Sequence, residues 1–467
     1  MDREIRAHAD SLQAHDRSAR MATPARRIAA EVLMRVAQGG AFANLALDSG
    51  LRQAGVLEPR EVALATELTY GTLRWQIQLD RALAAHSDRA LEDLDEAVRV
   101  ALRLGAFELL HHEKVPARAA VNEAVELAKE LKAARASGFV NAVLRRLSET
   151  RSASPPPSRE VDPVGHVAAL TAHPRWMVER WMRWLGNAEA ERLCAANQQQ
   201  APATVRVARR KATIARAQEA LRVAGIDSRP GRYSPDSLIL ASGAPPALDI
   251  EGYEQGLFQA QDEAAQLVSL FAAPDRSARI LDACAAPGGK ACHLAEIAEH
   301  GSVLAIDLHA RKAAAVVEAA RRLGLENLEA RAADATLPIP DVAFESFDLV
   351  LLDSPCSGLG TLRRHPEVKL RRTPGDVDRL SHLQARLLAA VQRYVRPGGL
   401  LVHALCTLTP EECDEQVQRF LAAFPQFRID PPPSSFPPDC LDREFLRTLP
   451  HRTGTDGFFA ARLRRTA

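Results

Sequence analysis

From about Glu251 onward, five short candidate strand runs alternate with helix-patterned segments, and this alternation limits the fold more than any other feature of the chain. The runs are Ala278 to Ala283, Ser302 to Asp307, Leu328 to Ala332, Phe347 to Asp353 and Leu400 to Leu405. Helical periodicity fills most of the gaps, over Gly289 to Glu299, Arg311 to Leu323 and Val377 to Tyr394. A run such as LVLL needs cover on both faces, and regular strand–helix alternation is the pattern of a doubly wound parallel sheet. Pro397, Gly398 and Gly399 are expected to form the turn into the Leu400 strand, and Pro410 to open a further helix. Ligands in such a sheet bind beyond the carboxyl ends of the strands, so the residues standing there decide the chemistry.

The strand ends are acidic. The run ILDACAAPGGKA gives a strand, Asp282, a loop containing Gly288 and Gly289, and then a helix. Glycine lets the backbone approach a ligand closely, and a helix N-terminus offers free N–H groups to a carboxylate or phosphate. The spacing is neither a dinucleotide fingerprint nor a phosphate-binding P-loop. Asp307 ends the next strand, where a carboxylate can hold both hydroxyls of a ribose. Asp334 follows the third strand, in position to bind an adenine edge. Three acids beside a glycine turn suit a nucleoside cofactor with an amino-acid tail. S-adenosyl-methionine is the natural candidate, with a generic nucleotide site as the alternative.

The fourth strand ends in DSPCSG, placing Asp353 beside Cys356, and the fifth is followed by Cys406 in LLVHALCTLTPEE. Taken singly, each is equally well read as a strand end with an inert buried thiol. If the two strands lie close in the sheet, however, both thiols and Asp353 converge on one pocket. Such a pocket could methylate an unactivated aromatic carbon. C5 of cytosine becomes nucleophilic only after a thiolate adds to C6, and product release then needs a second group to remove the C5 proton. One cysteine as nucleophile and the other as release base would meet both needs.

Seven cysteines are scattered with no CxxC pair and no Cys/His zinc spacing, so no metal site is expected and the pattern suits a reducing cytosol. Residues 1–20 are charged throughout and form no signal peptide, and no run of about 18 apolar residues offers a membrane span. Formal net charge is only +1, so a nucleic-acid footprint must be local.

The 467 residues are enough for about three domains. After the tail, residues 21–150 read as an all-α domain. Thr23 and Pro24 mark its start, and Ile28, Val32 and Val36 recur at helical spacing. Further amphipathic runs cover Pro59 to Trp75, Glu96 to His111 and Ala119 to Leu131. A last segment buries Phe139, Val140, Val143, Leu144 and Leu147 and turns Arg145 and Arg146 outward. Residues 151–163, RSASPPPSREVDP, form a Pro/Ser-rich linker. Residues 164–250 are a small α+β module carrying Trp176, Trp181 and Trp184, which are core residues or base-stacking platforms, and the basic triplet Arg209, Arg210 and Lys211. Residues 251–467 are the Rossmann-like domain.

Together, DACAAPGGK, DSPCSG and the Cys406 segment resemble the Sun-type (NOL/NOP/Sun) family of RNA cytosine-5 methyltransferases. QDEAAQLV at 261–268 and DGFFAARLRR at 456–465 are similar to its flanking motifs, and FANLAL, ELTYGTLRW, VNEAVELAK and GFVNAVLRR resemble the NusB-like RNA-binding domain of a bacterial subgroup acting on one cytosine of 16S (small-subunit) rRNA. The resemblance covers nearly the whole chain after residue 20. It implies a monomeric cytoplasmic enzyme using S-adenosyl-methionine on an unpaired or loop cytosine. It further implies Cys406 as nucleophile and Cys356 for product release. Cys284, Ala285, Ala286, Pro287, Gly288, Gly289 and Lys290 become the methionine-side cofactor loop, with Asp307 on ribose, Asp334 near adenine, and Asp353 at both cofactor and cytosine. The basic segment Arg363 to Arg372, RRHPEVKLRR, is similar to the family's substrate-facing segment and is expected to contact phosphate. Two positions depart from the family pattern: Leu405 replaces the usual Thr before the nucleophile, and Lys312 the usual Arg. The rival readings are a tRNA cytosine-5 methyltransferase and a non-catalytic RNA-binding assembly factor.

Overall fold

A computed structural model describes residues 22–112, 114–152, 155–241, 243–244 and 250–466. The expected N-terminal tail, part of the linker and the expected end of the small module at Leu248 lie outside the described residues. The chain divides into two compact units, one running to Cys194 and including His365–Leu370, the other containing Ala195–Arg364 and Arg371–Ala467.

The first unit is helical. Its principal helices are Pro24–Gly39, Ala43–Gln53, Pro59–Ala84, Glu96–His111, Ala117–Glu130 and Ser137–Thr150. Ile28, Val32, Val36, Leu102, Val140, Val143, Leu144 and Leu147 meet in one core, because 3.6-residue spacing puts each set on a single helix face. Inside it, Arg26 makes a buried ion pair with Glu108 at 2.5 Å. Trp181 on helix Arg175–Leu185 is fully buried with its ring edge-on to His173, which settles that tryptophan as a core residue.

The segment His365–Leu370 packs into this unit, contrary to its expected phosphate-contacting role. Glu367 accepts a hydrogen bond from the Ala43 N–H at 3.1 Å, and the fully buried Lys369 donates to the Arg74 carbonyl at 2.7 Å. Burial, followed by the Arg74 charge, pushes the Lys369 ammonium well below its ordinary pKa. The flanking arginines are also engaged. Arg364 bonds Asp262 at 2.6 Å and Asp456 at 2.8 Å, Arg363 donates to the Gly454 carbonyl, and Arg372 donates to the Ser357 carbonyl at 3.0 Å. The segment's positive charge is largely spent on holding the protein together.

In the second unit, β1 (Thr204–Val207), β2 (Ser228–Pro230), β3 (Ser237–Leu240) and β4 (Phe258–Ala260) form a four-stranded sheet in the order β2-β3-β1-β4. Helix Ile214–Val223 packs on it through Ala217 and Leu221. The basic triplet is structural here: Arg209 pairs with Asp236, Arg210 with the Ala295 carbonyl and Lys211 with the Arg322 carbonyl.

The larger sheet contains β5 (Arg279–Asp282), β6 (Ser302–Asp307), β7 (Leu328–Ala332), β8 (Phe347–Asp353), β9 (Val395–Leu405), β10 (Phe427–Ile429), β11 (Leu441–Asp442), β12 (Phe445–Thr448) and β13 (Phe458–Arg465). Its order is β11-β12-β13-β9-β8-β5-β6-β7, with β10 paired to β13. Strands β5 to β9 pair in parallel, whereas β13 runs antiparallel to β9. Two details differ from expectation. Strand β9 begins at Val395, with a register shift opposite Phe347 and Leu349, so Pro397–Gly399 is an irregularity within the strand rather than a turn before it. The helix expected at Pro410 begins at Asp414, after turns at Pro410–Cys413. Among the described residues no helix is long and apolar enough to cross a membrane.

Candidate active site

The chain runs outward from β5 to β6 and β7, then returns to β8 on the other side of β5. The gap between β5 and β8 is therefore the switch point of the sheet, where two loops diverge and leave a crevice. Register places Asp282 and Asp353 at the carboxyl ends of these adjacent strands, Asp307 at the end of β6, and Asp334 after β7.

The loop after β5 is closely supported. The Ala283 N–H donates to Leu351 and the Ala285 N–H to Ile306, both at 2.9 Å. Ala286–Pro287 is a cis peptide, and Gly288 has φ of 102°, a conformation that favours glycine, with the Val316 backbone 3.3 Å from where a Cβ would stand. Gly289 then opens helix Gly289–Ile297. Cys284 is half-buried, and burial raises its thiol pKa, so it remains protonated.

Asp282 is fully buried, and its carboxyl interacts with the Cys284 backbone N–H. Burial, with the neighbouring Asp353 charge, raises its pKa to about 7 despite the opposing pull of Lys290. A carboxyl pKa above the unfolded value destabilises the fold most above pH 7, and that penalty fades as pH falls towards 4. Asp282→Asn is expected to stabilise the ligand-free protein by about 3 kcal/mol at pH 8 and to lose that advantage near pH 4. Thermal melts at the two pH values check the sign.

Asp307 accepts the His309 N–H at 3.1 Å, and Asp334 accepts from the Thr336 hydroxyl and N–H at 2.7 and 2.8 Å. The Thr336 bonds hold the Asp334 carboxyl below its ordinary range. Lys290 projects from the first turn of its helix to Asp353, Nζ to Oδ2 2.7 Å, and lies over the Phe458 ring. Burial works to lower its pKa, but Asp353, then Cys406 and Asp282, raise it on balance. It therefore stays a cation.

Strands β8 and β9 are direct neighbours, with Asp353 opposite Ala404, so the segments beyond them run side by side. Cys356 Sγ and Cys406 Sγ are 3.4 Å apart. The contact with Cys406, then burial, pushes the Cys356 thiol well above its ordinary value. Leu405 is fully buried in the sheet core, where the hydroxyl of a Thr would have entered apolar surroundings. The hydroxyl near the thiols comes instead from Thr407, whose Oγ1 is 2.6 Å from Ser357 Oγ.

The structure thus brings together Cys356, Cys406, Asp353 and Lys290, with Asp282 beside them, and arranges Asp307 and Asp334 successively further along the sheet edge. A further residue, Glu412, was not legible as part of the site: it is buried beneath both thiol loops and bonded to Ser357, Gln384, Thr407 and Thr409. Its signal was the run TLTPEE, four polar residues too close to an apolar strand to be ordinary surface.

A doubly wound sheet with a glycine-loop crevice at its switch point and two thiols in contact beside it defines a Rossmann-like methyltransferase. Residues 269–464 match the family described as 16S rRNA methyltransferase RsmB/F, residues 23–149 match the NusB family, and residues 173–246 match the ferredoxin-like domain associated with RsmF/B methyltransferases. The chain belongs to this rRNA methyltransferase family. It is 35% identical to a probable ribosomal RNA small subunit methyltransferase B of Bacillus subtilis, over 95% of this chain and 99% of the relative. It is also 35% identical to ribosomal RNA small subunit methyltransferase B of Pseudomonas syringae, over 94% and 96% of the respective chains. Among solved structures, that of PH0851 superposes with a TM-score of 0.81 and 25% identity, covering 95% of this chain and all of the other. NSun6 from Pyrococcus horikoshii, solved with SFG, shares the fold at a TM-score of 0.58 and 20% identity, over 64% of this chain and all of the other.

Proposed function

We propose that the protein methylates C5 of one cytosine in small-subunit rRNA through a transient covalent bond between Cys406 and C6 of the base. The observation carrying this reading is the 3.4 Å contact between two thiols at adjacent strand ends, beside the Lys290–Asp353 pair. Family membership supplies the RNA class, and the NusB-family match supports RNA binding by the helical domain over residues 21–150. The linker, the small module from residue 164 and the catalytic domain from residue 251 complete the arrangement, acting as a cytoplasmic monomer.

The cofactor is S-adenosyl-methionine, which supplies an electrophilic methyl group. The residues fit it: the buried Asp282 carboxyl and the Gly288–Gly289 loop suit an amino-acid tail, and Asp307 suits a ribose. In the resting site Cys356 is the protonated partner and hydrogen-bonds the Cys406 sulfur, which must attack as the thiolate. The Cys406 sulfur bonds to C6 and the C5–C6 π pair moves to C5, which takes the methyl group. Once Cys406 is a thioether, Cys356 is released from the contact that raised its pKa and can lose its proton to solvent. As a thiolate it then accepts the C5 proton. The C6–S bond breaks with its electron pair returning to Cys406, restoring the aromatic ring. A paired cytosine cannot reach recessed thiols, so the target is an unpaired or loop base.

The test is methyl transfer from labelled S-adenosyl-methionine to purified 16S rRNA and to bulk tRNA, followed by nucleoside analysis. The expected product is 5-methylcytidine in 16S rRNA. Label in tRNA alone, label on another base, or no transfer to any RNA would overturn the proposal.

A further inference from the structure

We infer that Glu412 is a positioning residue that clamps the two thiol-bearing loops in register, an inference that rests on the two-thiol reading above. Its carboxylate is fully buried. Oε1 accepts the Ser357 N–H at 2.9 Å and Gln384 Nε2 at 3.0 Å, while Oε2 accepts the Ser357 hydroxyl at 2.5 Å and the Thr409 hydroxyl at 2.8 Å. Thr407 Oγ1 lies 3.2 Å from Oε2 and 2.6 Å from Ser357 Oγ. The proton order that puts a hydrogen in the 2.5 Å contact is Thr407 to Ser357 and Ser357 to Glu412, with Thr409 also donating to Glu412. Two donors on each oxygen satisfy a buried anion that has no cation among these partners.

The partners give this network its meaning. Ser357 directly follows Cys356, and Thr407 directly follows Cys406. Gln384 donates to the Pro355 carbonyl at 3.0 Å with the same nitrogen that reaches Glu412, so the residues on both sides of Cys356 are tied to one carboxylate. Unclamped neighbouring strands lie about 4.8 Å apart, with nothing to hold two loop sulfurs in contact. The hydrogen bond one residue beyond each thiol fixes the 3.4 Å sulfur separation. None of these hydrogen bonds reaches a sulfur, so Glu412 holds the thiols through the loops that carry them and not as a proton carrier.

Gln at this position can keep the framework, its oxygen accepting from Ser357 N–H and Gln384 and its amide donating to the two hydroxyls, whereas Ala removes it. Glu412→Ala is expected to lower kcat for methyl transfer about 100-fold, as for a displacement of about 1 Å in a reacting pair, with the S-adenosyl-methionine KM within about threefold of wild type. Glu412→Gln should recover kcat to within about tenfold, with the same cofactor KM. Ser357→Ala provides a milder variant that leaves its N–H bond in place; it should lower kcat with the same unchanged cofactor KM. Equal losses in the Gln and Ala variants would overturn the positioning role in favour of proton transfer. Full activity in Ser357→Ala and Glu412→Ala would overturn the clamp. Methylation surviving Cys406→Ala would overturn the two-thiol reading itself, a result separable from either.

Discussion

A Cys356→Ala protein incubated with small-subunit rRNA and S-adenosyl-methionine is expected to stall as a covalent protein–RNA adduct that survives denaturing electrophoresis. Cys406→Ala should form none and lose activity by at least about 10⁴-fold, the scale of losing a catalytic nucleophile. The asymmetry follows from the site. Both sulfurs occupy one contact, and that contact together with burial raises the Cys356 thiol well above its ordinary value. Lys290, whose charge is supported by Cys406, pairs with Asp353 on the adjacent strand end. Without Cys356, addition and methyl transfer can proceed, but the C5 proton has no acceptor and the C6–S bond cannot be expelled. Adduct formation by Cys406→Ala and its absence in Cys356→Ala would reverse the two roles. Gel mobility combined with nuclease digestion and mass spectrometry reads the outcome.

The second large effect is expected at Asp353. Its carboxylate holds the Lys290 ammonium at 2.7 Å, with both side chains mostly out of solvent. Asp353→Asn removes the charge and leaves the ammonium poorly compensated, which is expected to cost about 2–3 kcal/mol of stability and to lower kcat/KM about 10²–10³-fold. Part of the stability loss should be offset at high pH, because the variant also relieves the repulsion that Asp353 exerts on Asp282. Asp307→Asn is the control: its recorded bond is to the His309 N–H, so stability should change little and cofactor affinity should fall. Equal stability losses in the two variants would contradict the account of the Lys290–Asp353 pair.

The central strands were legible because their apolar runs are short, continuous and closed by acids. Ser302–Asp307 and Phe347–Asp353 occupy the residues that periodicity predicts, as does the more polar edge strand Leu328–Ala332. The start of β9 was not legible, since Pro-Gly-Gly reads as a turn while backbone pairing of Val395 with Phe347 carries the strand across an irregularity. The thiol pair was legible only as two strand ends; that they touch depends on β8 and β9 being neighbours, a property of topology. The basic segment misled for a related reason. Charge in a sequence carries no record of its partners, and the acids that hold Arg364 lie 92 and 102 residues away in the chain. Lys369 is the extreme case, a cation that the fold buries completely. Glu412 was hidden in the opposite way, since an acid next to another acid near a helix start reads as surface or as a favourable helix terminus.

The central claim is that this protein places one 5-methylcytosine in small-subunit rRNA through Cys406. Bisulfite sequencing of that rRNA tests it most directly, in cells lacking the protein and in the same cells supplied with wild type or Cys406→Ser. The account predicts one cytosine that loses methylation without the protein, regains it with wild type and stays unmethylated with Cys406→Ser. An unchanged methylation map in the deletion, or restoration by Cys406→Ser, would contradict it.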